Sequence, residues 1–327
     1  MNRRIAVLLS AVIFLCLSAP VSAQQPVTLR WAEIHEPAYP TTVGAFEVAK
    51  LVKERTKGRV IIEIHHSMAL GDEAAVMKKI QDGEIDLTRT NVGPVTRYVS
   101  GLNAFLMPYI FRDVDHMLKV VNGSIGNDVL NSAGKSDMIG FSWYDGGTRS
   151  FYTKQPVKGP GDLKSMRIRT LQNELMTGMV DSFGAKAVPM PHGETYAALQ
   201  RGDLDGAENN YPTYDETKHY TLCKYFIEDE HTRNPDTIIG SKKSLTAKLS
   251  DKEIEIIKQA VRETQPVQFR LWAETVEKSK KKVVGEGSVV TMVSPQLHAA
   301  FLAVVKPIYD KQPADIQALV ARIRDTK

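Results

Sequence analysis

The chain has 327 residues, 42 basic side chains against 38 acidic ones for a formal charge of +4, and only two cysteines. That near-balance excludes the concentrated basic face of a nucleic-acid binder, and two cysteines exclude a disulfide-stapled scaffold. A length of this order holds two lobes, each with its own core.

The N-terminus reads as a secretory signal. Arg3 and Arg4 form a basic start, Ile5 to Leu17 an apolar run, and Val21-Ser22-Ala23 a small-x-small pattern before a cut at Gln24. The run is too short to span a bilayer. Cys16 follows Ile13-Phe14-Leu15 rather than the small residues a lipid-modified cysteine needs. The expectation is a signal peptide over 1–23 and a soluble mature protein in the periplasm. Cleavage removes Arg3 and Arg4 and leaves Cys223 as the sole thiol, so no intrachain disulfide forms. The basic run Lys278 to Lys282 reads as the solvated face of a helix.

From there strands and helices alternate. Val27 to Trp31 alternates as a strand does, and Ala45, Val48, Ala49 and Val52 recur at helical spacing before the stop Lys57-Gly58. Val60 to Ile64 is a second strand. A helix through Ala74, Met77 and Gln81 stops at Gly83, and a third strand begins at Ile85. This βαβαβ order builds a largely parallel sheet. A weak repeat follows: Gln81 to Asn91 matches Gln200 to Asn210 without a gap. The second copy belongs to its own run, with strands at Met166 to Thr170 and Ala187 to Pro189 and helices at Glu174 to Phe183 and Glu194 to Gln200. Two lobes of like construction are therefore expected, with a crossover near Phe141 to Gly147. The last third is helical. Ser250 and Glu253 form a capping box before a stretch reaching about Val284, kinked or divided at Pro266, and Ser294-Pro295 opens another helix.

No enzyme signature stands out. There is no Gly-x-Ser-x-Gly elbow and no phosphate loop, and His65-His66, adjacent on a strand, point to opposite faces rather than to one metal. Asp113-x-Asp115-His116 reads as a helix start. The arginines say more. Arg167 and Arg169 share one strand face, with Arg169 nearer the carboxyl end, where ligands of open α/β sheets bind; either could equally pair with a neighbouring acid. Arg149 follows Gly146-Gly147 at the crossover. A guanidinium fork matches a carboxylate, each charged hydrogen bond contributing roughly 1.5–3 kcal/mol. Tyr144 and Asp145 are candidates to face a hydroxylated ligand or to belong to the interior, the more frequent place for a residue such as Trp143. His35 and Tyr39 follow the first strand, and Asn91 and Asn209 or Asn210 fall at strand ends.

At this point the mature chain resembles the DctP-type solute-binding subunits of tripartite ATP-independent periplasmic (TRAP) transporters. The resemblance rests on Asp162 to Arg169, Pro189-Met-Pro191 through Glu194, and Gln200 to Asn209, supported by Leu106 to Phe111 and Gly147-Thr-Arg149. It implies that Arg169 takes a ligand carboxylate, that Arg149 and Asn209 also touch ligand, and that His231 lines the cleft. Asn210 stands where many members have Pro, and Ser165 where Gly is usual. Glu33-Ile-His35, Tyr39-Pro40, Arg89-Thr-Asn91, Tyr144-Asp145 and Ala207 to Asn210 resemble the uronate-binding branch, which implies a hexuronate such as glucuronate or galacturonate.

The expectation is a two-lobed α/β periplasmic-binding-protein-like fold, with mixed, mostly parallel sheets, a hinge and long C-terminal helices. Lobe one takes 24–145 plus about 233–270. Lobe two takes 146–232 plus about 271–327 with the spanning helices. The protein is expected to be a monomer, not an enzyme, with no cofactor or metal, that hands a small carboxylate to membrane permease subunits. A C4-dicarboxylate or aldonate ligand, a periplasmic sugar-acid enzyme, and a binding subunit for a sensor are the alternatives.

Overall fold

The computed structural model describes residues 25–327; the expected signal peptide, with Cys16, lies outside them. The strands are β1 (Val27–Ala32), β2 (Val60–His65), β3 (Leu87–Asn91), β4 (Met138–Thr153), β5 (Arg167–Thr170), β6 (Lys186–Pro189), β7 (Gly206–Asn209), β8 (Tyr225–Ser241) and β9 (Val289–Thr291). They form one sheet in the order β2-β1-β3-β8-β4-β7-β5-β6, with β9 on β8. β1 is parallel to β2 and β3, and β5 is parallel to β6 and β7. Each parallel trio is the product of strand–helix–strand connections, as the alternating sequence pattern requires.

The two trios are joined by β4 and β8, of 16 and 17 residues, which run antiparallel along nearly their whole length. Their buried residues sit on both faces, which is why neither shows the clean alternation of a half-exposed strand. The segment read as a crossover is the middle of β4. Gly146-Gly147 does not turn the chain; it makes a bulge, with a register shift between Asp145 and Thr148. Gly147 has φ +71, and a Cβ there would lie 2.7 Å from the Trp272 indole, so only glycine lets that ring close over the bulge.

The sequence repeat has a shared architecture. Gly83 and Gly202 end their helices in the left-handed region, at φ 84 and φ 82. Asp86 and Asp205 then accept the backbone N–H of Arg30 at 2.7 Å and of Arg167 at 2.8 Å, each tying its strand to the neighbour. Asn91 and Asn210 cap the helices that follow, accepting from Gly93 and Thr213. Because Asp86 serves as this tie, β3 begins at Leu87 rather than at Ile85.

Apolar clusters cover both faces of each half. Around β1–β3, Met77, Phe105 and Trp143 fill one face; Trp31, Val48 and Val261 fill the other. Around β5–β7 the pairs of clusters centre on Phe151 with Met179 and on Tyr152 with Phe226. The helix Asp251–Gly285 carries the expected capping box and runs unbroken through Pro266. The helix Pro295–Asp310 packs Phe301 and Val305 against the second half, and Ala314–Asp325 returns Ile316, Val320 and Ile323 to the first. Asp113 caps its helix, as its position suggests. Cys223 is buried, and burial pushes its thiol up to about 12, which leaves it unreactive. Among the described residues no helix is long and apolar enough to cross a membrane.

Candidate functional site

The carboxyl ends of β1, β3, β5 and β7 converge on a small, polar-lined cavity. On the first side it is walled by His35 and Tyr39 after β1, Arg89 and Asn91 on β3, Asp236 on β8, and Glu73 at the start of the helix Glu73–Asp82. On the second side stand Arg149 on β4, Arg169 on β5, Asn209 and Asn210 at the end of β7, Thr213 and His192. Trp272 and Gly146 close the base. Of the ten residues singled out from the sequence, seven meet here: His35, Tyr39, Asn91, Arg149, Arg169, Asn209 and Asn210.

Three do not. Tyr144 packs in the core over Gly44, where a Cβ would come within 2.8 Å of its ring, and its hydroxyl meets Thr264 Oγ1 at 2.7 Å. Asp145 turns inward to accept the Gly147 N–H at 2.8 Å, while its own backbone is bracketed by the Gln268 amide at 2.9 Å on both sides. It stabilises the bulge. His231 is fully buried behind the cavity wall, with Nδ1 2.8 Å from Asp229 and Nε2 3.5 Å from Glu208. Tyr144 and Asp145 lie in the middle of β4 between two register shifts, where position along the chain does not tell which face a side chain takes, and of the two roles open to them both take the interior one.

The two arginines are not equivalent. Arg149 is held as a fork by Glu208, with Nε to Oε2 at 2.5 Å and Nη2 to Oε1 at 2.9 Å, and donates Nη1 to Asn209 Oδ1 at 2.8 Å. Burial alone would raise the Glu208 pKa, but Arg149 and His231 bring it down to about 2. His231 in turn, despite burial, is pushed up to about 9 by Asp229 and Glu208. Charges alternate along Arg149–Glu208–His231–Asp229, and this chain is internally balanced.

Arg169 donates Nε and Nη2 only to the Met190 carbonyl, at 3.1 and 2.7 Å, and has no carboxylate partner among the described residues. Burial lowers its pKa, Glu208 partly counters this, and Arg149 lowers it further. It is a buried cation facing a cavity. By contrast Arg167, on the same strand face, is paired with Asp205 at the surface, Nε at 3.0 Å and Nη2 at 2.8 Å, so the neighbouring-acid account holds for that residue.

The first side carries acids. Arg89 forks onto Glu33 and lies 3.4 Å from Asp236 and 3.6 Å from Glu73. Burial works against its charge, but the three acids raise its pKa above the usual value. Asp236 is pushed up to about 6, because burial and Glu73 outweigh Arg89.

Contacts cross between the two sides. His35 Nδ1 meets Glu216 Oε2 at 2.6 Å, and the same carboxylate accepts the Glu36 N–H at 3.0 Å. Tyr39, stacked on His35 with centroids 3.6 Å apart, meets Thr213 Oγ1 at 2.9 Å. Asn173 donates to Thr96 at 3.0 Å. The cleft is closed. His35, His192 and Glu216 place donor atoms within 4.8 Å of one another, but the His35–Glu216 distance is that of a hydrogen bond, shorter than the roughly 3.3 Å between donors each ~2.0–2.1 Å from one zinc ion. Burial holds the His192 pKa well below the usual value, so that imidazole is neutral.

Glu73, Asp236, His192, Thr213, Trp272 and Glu216 were not singled out from the sequence, and Arg89 only as part of a resemblance. Glu73 looks like an ordinary first-turn acid, Asp236 lies in a strand with no alternating signal, and Trp272 sits mid-helix. Only the cross-strand pairing of Asn91 with Asp236 reveals the second of these.

A family model described as bacterial extracellular solute-binding protein, family 7 (DctP), matches residues 31–315. A solute-binding protein of Chromohalobacter salexigens is 33% identical over 317 residues, covering 96% of this chain and 93% of that protein. Among solved structures, a TRAP periplasmic solute binding protein of a Bradyrhizobium species in complex with α/β-D-galacturonate matches with a TM-score of 0.89 at 34% identity, over 92% of this chain and all of that one. Another, from Chromohalobacter salexigens with bound D-glucuronate, gives 0.87 at 33% identity, over 91% of this chain and 100% of the other. A family match over most of the length, together with a relative 33% identical along nearly the whole chain, shows that this chain belongs to the DctP family of bacterial extracellular solute-binding proteins.

Proposed function

We propose that the protein captures a hexuronate, glucuronate or galacturonate, in this cavity and delivers it in the periplasm to the membrane subunits of a TRAP transporter. The observation that carries the ligand class is the guanidinium of Arg169, which faces the cavity with no carboxylate partner among the described residues. A carboxylate placed on it supplies the missing counter-charge, and charge-assisted forks of this kind are among the stronger polar contacts. The remaining wall of amides, carboxylates, His and Tyr suits a guest rich in hydroxyls, each of which must find a partner once buried. The galacturonate- and glucuronate-bound structures of similar proteins support the same reading.

The mechanism is closure of two lobes, with 24–145 and about 233–270 moving against 146–232 and the C-terminal helices. The bulge at Asp145–Thr148 and its partner segment Arg233–Pro235 on β8 form the crossing at which the chain bends. Ligand contacts available only when both sides meet shift the population toward the closed form, and that form docks on the permease. Calorimetry with glucuronate and galacturonate tests the reading. Binding by wild type, abolished in R169A, is the expected result; unchanged affinity in R169A removes the assigned role.

A further inference from the structure

Counting charges wall by wall shows an asymmetry. On the second side Arg149 and Glu208 match, His231 and Asp229 match, Glu216 is engaged by His35 from across the cavity, and Arg169 has no carboxylate partner among the described residues. On the first side a single guanidinium, Arg89, is shared among Glu33, Glu73 and Asp236, so carboxylates are in excess. The two acids that line the cavity are also poorly satisfied. Glu73 uses Oε1 to accept from the Asn91 N–H at 2.9 Å and from Thr90 Oγ1 at 3.2 Å, leaving Oε2 without a hydrogen-bond donor among the described residues. Asp236 has only long contacts, from Asn91 Nδ2 at 3.3 Å and Arg89 Nη1 at 3.4 Å. Ionised carboxylates accept and do not donate. The group that completes them is a hydroxyl.

We propose that Glu73 and Asp236 are specificity-determining residues that exclude dicarboxylic acids, so that the site takes a polyol with one carboxylate and rejects its doubly oxidised counterpart. The inference deepens the proposed function and rests on its reading that a sugar acid occupies the cavity. A hexuronate carries its carboxylate at one end and a hydroxyl, the anomeric one, at the other. With the carboxylate on Arg169, hydroxyls across the ring donate to Glu73 and Asp236. An aldarate, the same carbon chain with both ends oxidised to carboxylates, offers an acceptor where these acids need a donor and adds a like charge in a desolvated space. A C4-dicarboxylate meets the same obstacle. Selectivity of this kind comes from the repulsive element as much as from the attractive one. Burial pushes the Asp236 pKa up to about 6, so its share in the exclusion strengthens as pH rises through that value.

Calorimetry at neutral pH with the mature chain tests this, comparing glucuronate with glucarate and galacturonate with galactarate, in wild type, E73Q and D236N. The expected result is a preference of wild type for the uronate of each pair by at least about 100-fold, the scale that like-charge juxtaposition produces. Each amide variant keeps the size of the side chain and supplies a donor, so both should reduce that ratio by about tenfold or more. Binding of aldarate by wild type within about threefold of the matching uronate, or a ratio unchanged in both variants, overturns the inference and leaves the uronate reading standing. Binding of neither partner of any pair by wild type overturns both. The wild-type ratio alone decides if a variant fails to fold.

Discussion

Arg169 is held by the Met190 carbonyl, which accepts from Nε at 3.1 Å and from Nη2 at 2.7 Å, so that its guanidinium is oriented by a backbone group while its charge is left without a carboxylate. Orientation without neutralisation is costly in a ligand-free protein, because an unpaired buried charge is costly. Met is close to Arg in length and carries no charge. R169M should therefore leave the ligand-free protein at least as stable as wild type while abolishing ligand-induced thermal stabilisation. Urea unfolding checks the first half and a thermal shift with hexuronate the second; a loss of more than about 1 kcal/mol of intrinsic stability would show that the charge has a structural partner.

Glu208 gives the opposite outcome. It sits between Arg149 at 2.5 Å and His231 at 3.5 Å, fully buried. E208Q would leave two buried cations sharing one remaining acid, Asp229. Breaking a buried pair this way costs about 3–5 kcal/mol, and chemical denaturation should show a loss on that scale.

The same chain predicts how stability responds to alkali. His231 has its pKa raised from the ordinary 6.5 to about 9, Asp229 and Glu208 outweighing burial. A group whose folded pKa is raised contributes stability that is complete below the unfolded value and is lost as pH rises through the folded one. The protein should lose on the order of 2–3 kcal/mol between about pH 6.5 and 9 from this group. H231Q should flatten that part of the profile. An equally steep decline in the variant would place the titration elsewhere.

How much of this was legible beforehand depends on the range of the interaction. The parallel trios were readable because alternation, helix stops and glycine turns are local, and the Gln81 and Gln200 repeats kept the same tie and cap at Asp86 and Asp205, Asn91 and Asn210. β4 and β8 were not, because strands buried on both faces lose their period and two glycines in a bulge look like a turn. In the site, residues at strand ends were found from topology. Those that enter from a helix start (Glu73), a mid-helix ring (Trp272) or across the cleft (Glu216) depend on tertiary packing, which no local pattern encodes. Arg149 and Arg169 were both noticed as cations beside the cleft, and the position of Glu208 against Arg149 alone is what separates them.

Tyr144 offers a direct check on one of those displacements. Its hydroxyl bonds Thr264 and its ring covers Gly44, away from the cavity. Y144F should cost about 1 kcal/mol of stability, the usual worth of a buried hydrogen bond, and leave hexuronate affinity unchanged. A large affinity loss with little change in stability would return the hydroxyl to the ligand.

The cross-cleft clasp makes a kinetic claim. Glu216 accepts from His35 Nδ1 at 2.6 Å and from the Glu36 N–H at 3.0 Å, and the His35 ring is stacked on Tyr39, itself bonded to Thr213. These contacts exist only when the two sides meet, so they stabilise the closed form and not the open one that admits ligand. Burial would raise the Glu216 pKa, yet His35 and the Glu36 amide hold it below the usual range, so the carboxylate is ionised where it clasps. E216Q keeps an acceptor for the backbone but removes the charge facing His35. Entry occurs before the clasp forms, and release requires breaking it. The variant should therefore bind hexuronate about five- to tenfold more weakly with the change concentrated in the dissociation rate, as is usual for contacts made after encounter. Stopped-flow fluorescence, with Trp272 at the base of the cavity as reporter, separates the two rates; a loss carried by the association rate would mean that Glu216 acts on the open form instead.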